Sequence, residues 1–115
     1  MASEFDLEQL EAITGGDAEF EREVLEEYLN SAPNDLAKLQ IAISGGDAAG
    51  TAAAAHALKG ASATIGAKGF AAIALELEQA GKQSVLTGTP ETLARLTSEY
   101  EELKLVLQAR IAKAA

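Results

Sequence analysis

Only one side chain in this 115-residue sequence is a histidine, His56, and none is a cysteine. The missing thiols exclude disulfides, thiolate metal sites and cysteine nucleophiles. An imidazole is largely neutral near pH 7 and offers a ring-nitrogen lone pair. The histidine lies in the run His56-Ala57-Leu58-Lys59-Gly60-Ala61-Ser62, inside an alanine-rich segment of helical character. Placed on a helix at 100° per residue, Thr51, Ala54, Ala55, Leu58, Ala61, Ser62 and Ile65 share one face, which is expected to be buried. His56 then points to the opposite side, with Ala52, Ala53, Lys59 and Gly60 as its neighbours three and four residues away.

An exposed lone histidine is, by itself, more often a solvated surface residue than a functional one. Here its surroundings argue otherwise. An inert outer face would carry long charged side chains, whereas Ala49, Ala52, Ala53, Gly60 and Ala63 surround the ring and make a flat apolar patch suited to docking a partner. Gly60 costs about 1 kcal/mol relative to alanine inside a helix, which calls for a packing or functional reason. Other chemistries lack their parts. A zinc or di-iron site in a helical bundle needs several ligands, including Glu-x-x-His pairs, and residue 53 is alanine. Neither Gly-x-x-x-x-Gly-Lys nor Gly-x-Gly-x-x-Gly occurs, so no ATP site and no autokinase activity are expected. Ser62 falls on the buried face, better placed to bond backbone than to serve a hydrolase.

The string from His56 to Ala67, His-x-Leu-Lys-Gly-x-Ser-x-x-Ile-Gly-Ala, resembles the signature of histidine-containing phosphotransfer (HPt) domains. The resemblance extends along nearly the whole chain through an acidic N-terminal helix, the Gly46-Asp47 turn nine residues before the histidine, and the Leu77-Glu78 pair downstream. It departs from the family at Thr51 and Ala54, where a large apolar side chain is usual. The resemblance implies that His56 is phosphorylated, through Nε2, and that Lys59 one turn away offsets the added charge. It also implies that Ala49, Ala52, Ala53, Gly60, Ala63 and Lys68 belong to the surface that receives a receiver domain. The partners implied are the receiver domains of a hybrid histidine kinase and of a response regulator. Mg²⁺ would then come with the receiver, and this chain would need no cofactor of its own.

The elements that must position these residues follow from periodicity and punctuation. Gly15-Gly16-Asp17 and Gly45-Gly46-Asp47 each read as a helix stop followed by an N-cap. Before the first lies a short helix from Asp6 to Thr14, with Ser3 as its cap and Leu7, Leu10 and Ile13 toward the core. From Asp17, Leu25, Leu29, Ala32, Leu36, Leu39 and Ile43 recur by fours and threes, joined by Phe20, Val24 and Tyr28. Pro33 predicts a kink, or a break with Ser31 capping the resumed helix. The histidine helix runs from Asp47 to Thr64, ended by Gly66, and a fourth segment from Ala67 to Gly81 turns Phe70, Ile73, Ala74 and Leu77 inward. Thr89-Pro90-Glu91 reads as cap, first helical proline and early acid, opening a last helix through Leu93, Leu96, Tyr100, Leu103, Leu107 and Ile111.

No segment alternates with period two. The expectation is one all-α domain over residues 1–115, an antiparallel up-down-up-down four-helix bundle with a short extra N-terminal helix. The net charge of −9 argues against nucleic acid and anionic membranes as partners. Ten acids stand against Arg22 alone in residues 1–30, yet from Ala48 to Leu75 the only charges are Lys59 and Lys68. No apolar run is long enough to span a bilayer and no secretory leader is visible, so the expected location is the cytoplasm. A monomer is expected, because the one exposed apolar patch is small and suits a transient partner. Two functions from different classes fit: a phosphoryl carrier using His56, or a helical module that binds receiver domains without being phosphorylated. The intact His56-x-Leu58-Lys59-Gly60 motif favours the first.

Overall fold

The computed structural model describes residues 5–114, so Ser3, the expected cap of the first helix, lies outside the described residues. Five helices follow one another: α1 (Leu7–Thr14), α2 (Ala18–Ser44), α3 (Ala48–Thr64), α4 (Lys68–Lys82) and α5 (Thr89–Ala114). The first three begin on aspartates whose carboxylates accept from a backbone N–H three residues on: Asp6 from Gln9, Asp17 from Phe20 and Asp47 from Gly50. Gly15 ends α1 in the left-handed conformation at φ 64°, a region that costs a side chain dearly and glycine nothing. No strand occurs among the described residues; one isolated antiparallel bridge joins Phe5 to Ala67.

The four long helices pack as a ring in chain order, α2 on α3, α3 on α4, α4 on α5, with α5 closing on α2, while α1 rests on α2 and α3. At 1.5 Å per residue the 27 residues of α2 span about 40 Å, which matches the 42 Å long dimension, so α2 runs the length of the bundle. Between the helices lie Leu25 and Leu39 of α2, Leu58 of α3, Phe70 and Leu77 of α4, and Leu96, Leu103 and Leu107 of α5, all essentially inaccessible. Phe70 meets Tyr100 edge-on, with ring centres 6.1 Å apart. Tyr28 and Ser62 share a buried hydrogen bond of 2.6 Å across the α2–α3 seam, which answers the requirement that a buried hydroxyl be partnered. Burial pushes the Tyr28 phenol above its ordinary range.

Several details depart from the sequence expectations for visible reasons. Pro33 neither breaks α2 nor leaves Ser31 as a cap; the helix is continuous, held by Tyr28 and Ala32 on one side of the proline and Leu39 and Ala42 on the other. Phe20 is 45% exposed, because the inward position one turn before Leu25 belongs to Glu21, whose carboxylate takes both Nε and Nη2 of Arg110 at 3.0 and 2.9 Å. Leu7, first residue of a helix that covers only one flank of the bundle, is also partly exposed. Ala61 sits at the edge of the buried stripe of α3, and its methyl stays open to solvent beside Tyr28 and Ser31. Thr89 does not cap α5 from outside. It is the first helical residue, its hydroxyl donating to the Leu86 carbonyl, and the Gly88 carbonyl accepts from the Thr92 N–H.

Gly81 does not end α4, which continues through Lys82. Its role is close packing: a Cβ there would lie 2.6 Å from both the Ala48 carbonyl oxygen and the Ala52 nitrogen of α3. Gly60 is the opposite case, with nothing within 4 Å of an added Cβ. Gly60→Ala should therefore raise the unfolding free energy by about 0.5–1 kcal/mol. Gly81→Ala should lower it by about 1–3 kcal/mol, because backbone rather than a flexible side chain must move. Urea unfolding of the two variants checks both signs.

Candidate functional site

The site grows out of the α3–α4 seam. Ala48, Ala52 and His56 recur every four residues on α3, and α4 answers with Glu78 and, one turn on, Gly81 and Lys82. Because Gly81 has no side chain and Ala48 and Ala52 have small ones, the backbones approach closely enough for Glu78 to reach the imidazole. His56 Nδ1 and Glu78 Oε2 are 2.9 Å apart. The two ends of this bond differ sharply in exposure, the histidine side chain being 68% accessible and the glutamate 2%.

A carboxylate so enclosed is tolerated only when its charge is answered. Lys59 Nζ lies 2.6 Å from Oε1, and Lys82 Nζ lies 3.1 Å from Oε2 on the same side as His56. The Lys59 ammonium is the chief influence holding the Glu78 carboxyl down at about 2, with Lys82 and His56 adding to it against the opposing effect of burial. Glu78 is thus ionised and can only accept, so Nδ1 must carry the proton of this hydrogen bond. In the neutral ring that leaves the lone pair on Nε2. The carboxylate selects the tautomer.

His56 shares a cleft of about 630 Å³ with Ala49, Ala52, Ala53, Glu78 and Lys82. The apolar patch expected beside the ring is therefore present in part: Ala49 and Ala53 are exposed and Ala52 half-buried. Gly60 is exposed one turn along α3, bordering a separate cleft with Tyr28 and Thr64. Ala63 is exposed further along the same helix. Lys68 opens α4, where its ammonium pairs with Asp6 at 2.9 Å and holds that carboxyl below its usual range. Lys59, expected to stand ready for an added charge, is already paired with Glu78.

Glu78 and Lys82 are the two members that sequence reading missed as parts of the site. A signal existed. Glu78 stands four residues after Ala74, one after Leu77 and three before Gly81, on the face α4 buries, and an acid on such a face needs a cation. Lys82 follows it by four, the favourable order for a helical ion pair. Ser84, at φ 57° the one non-glycine residue in the left-handed region among the described residues, borders the same cleft. Among the described residues no group of three or more histidines or carboxylates converges as metal ligands would, and no helix is long and apolar enough to cross a membrane.

The family model of the Hpt domain matches residues 23–105. Among solved structures, the crystal structure of histidine-containing phosphotransfer protein B (HptB) from Pseudomonas aeruginosa PAO1 superposes with a TM-score of 0.91. The match covers 98% of each chain at 21% sequence identity, a likeness that speaks for the fold. No curated protein matches the chain at a significant level.

The depressed carboxyl of Glu78 has a stability consequence with a definite sign. A group ionised more readily in the folded than in the unfolded chain stabilises fully above its unfolded pKa, here 4.5, and that contribution is lost as pH falls toward about 2. Glu78→Gln removes this one titration and leaves every other carboxylate in place. Acid unfolding curves should show the wild type losing stability more steeply than Glu78→Gln between pH 4.5 and 2; equal slopes would refute the assignment.

Proposed function

This chain belongs to the Hpt domain family, and on that premise we propose that it is a phosphoryl carrier of a multistep phosphorelay with His56 as the phosphorylated residue. Hpt domains are carriers rather than enzymes and work with the receiver domains of kinases and response regulators. The observation that carries the reading is the His56–Glu78 bond: a solvent-open imidazole whose Nδ1 is committed to a buried carboxylate has Nε2 as its available nucleophile.

The step balances as follows. The Nε2 lone pair attacks the phosphorus of a receiver's aspartyl phosphate, the N–P bond forms, the P–O bond to the aspartate breaks, and the aspartate leaves as a carboxylate. The imidazole becomes cationic and keeps its Nδ1 proton, which continues to bond Glu78. Lys59 and Lys82 lie beside that carboxylate and supply positive charge next to the incoming phosphoryl group. Mg²⁺ and the aspartate belong to the receiver. Running the step backward delivers the group to a second receiver, so the same geometry serves loading and unloading.

The same proposal makes residues 1–115 one domain, a monomer working in the cytoplasm. Its long helices alternate up and down; the three-residue connections between α1 and α2, α2 and α3, and α3 and α4 support that direction change. Ala49, Ala52, Ala53, Gly60, Ala63 and Lys68 form part of the surface a receiver covers.

Incubation with a phosphorylated receiver domain and Mg²⁺ should place an acid-labile, base-stable phosphate on His56. His56→Gln should abolish the label without lowering the melting temperature, and ATP alone should leave the chain unlabelled. Gly60→Gln, which adds a side chain one turn from the ring at an open position, should slow transfer at least several-fold while the melting temperature holds or rises. Phosphate on a serine, or none where another Hpt protein is labelled, would replace this reading with that of a module that binds receivers unphosphorylated.

A further inference from the structure

Ile41 is 72% exposed, the most accessible large apolar side chain among the described residues. It stands on α2 at a cleft of about 430 Å³ that α3 walls with Ala53 and Ala57. Ala53 also lines the cleft holding His56, so the two depressions flank one helix and share a wall. We propose that Ile41 is a docking residue for the receiver domain: the receiver that covers His56 also seats an apolar side chain against Ile41 and Ala57 and turns a basic group toward Asp35 and Asp47.

Size argues for this extent. Even a transient interface buries about 600 Å² on each partner, a disc roughly 14 Å in radius, whereas a helix with its side chains is about 10–12 Å across. A receiver centred on His56 therefore overhangs α3 and meets α2. The charge around the cleft gives the partner its chemistry. Asp35 and Asp47 stand against Lys38 alone, leaving an excess of negative charge beside an apolar floor of alanines. At 72% exposure Ile41 leaves most of its apolar surface in water, and removing that surface is a gain that a partner can collect. Glu78 and Lys82 lie on the α4 side of the ring and the Ile41 cleft on the α2 side. The chemistry and the recognition would thus occupy opposite flanks of α3.

The inference rests on the proposed role of His56, and the experiment separates the two. Receiver domains from the source organism's hybrid kinases and response regulators are expressed singly, and the one with the highest kcat/KM on the wild-type chain serves as probe. Ile41→Lys should raise KM for the phosphorylated receiver about tenfold or more with kcat unchanged, Ile41→Leu should restore a value near wild type, and Asp35→Lys should raise KM by a smaller factor. Melting temperatures should stay at the wild-type value, since the side chain is exposed. In a His56→Gln background, which carries no phosphate, calorimetric titration with the same receiver should show the same loss of affinity for Ile41→Lys. Unchanged KM and affinity, or a fall in kcat with KM unchanged, would overturn the docking role. If no receiver labels the wild type, the His56 reading fails by itself, and calorimetric titration of each receiver in turn against the His56→Gln chain, with and without Ile41→Lys, still decides whether Ile41 binds.

Discussion

A carboxylate that is almost fully enclosed cannot stand without cations, and in this bundle the demand is placed by Glu78. The need is met from two helices at once: Lys82 comes from its own helix one turn on and Lys59 from α3, where His56 adds a hydrogen bond to the same carboxylate. That makes the α3–α4 seam electrostatically specified as well as packed, since slipping either helix by a turn would strand a buried charge. The steric side is complementary. Gly81 lets the backbones meet at Ala48 and Ala52, and only with that approach does the carboxylate arrive beneath the imidazole.

The opposite seam of α3 is built differently. The buried face of the helix carries Thr51, Ala54, Ala55 and Leu58, small side chains for the most part, and the seam with α2 is fastened by the Tyr28–Ser62 hydrogen bond. At its far end the α3–α4 turn is clamped by residues distant in sequence. The Asp6 N–H donates to the Gly66 carbonyl at 2.6 Å, and Asp6 pairs with Lys68. Gly66, at φ 91°, lies so close to the Asp6 carbonyl that a Cβ would collide with it. The histidine helix is thus held along both sides and at its C-terminal end, while its outer stripe of alanines and Gly60 is left bare.

Much of this was legible in the sequence because it depends on local rules. Periodicity of three and four placed the helices within a residue or two, and Asp17 and Asp47 announced themselves as caps by following glycines. The outward direction of His56 followed from its angle to Leu58 alone. What resisted reading depends on tertiary partners. Glu21 took the inward place assigned to Phe20 because Arg110, nearly ninety residues away, neutralises it. Pro33 predicted a kink or a break from backbone sterics; the break does not occur, because core contacts on both sides of it outweigh one lost hydrogen bond. Gly81 resembled a stop signal because a glycine near a helix end looks the same whether it caps or packs. Glu78's place on the buried face of α4 and its pairing with Lys82 could be read from spacing alone, but its partners on α3, Lys59 and His56, belong to the assembled bundle.

The arrangement around His56 has a bearing on how strongly a phosphoryl group would be held. Two lysines against one carboxylate leave a single positive charge beside a neutral imidazole. A phosphoryl group brings nearly two negative charges, and the ring gains one positive charge as the N–P bond forms. The loaded site then comes out close to neutral, neither a deep well for the dianion nor a repulsive one. A pocket with free arginines or unpaired lysines would hold the group more firmly and surrender it less readily. By spending half of its lysine charge on its own glutamate, this site would neither trap a phosphoryl group on His56 nor repel it.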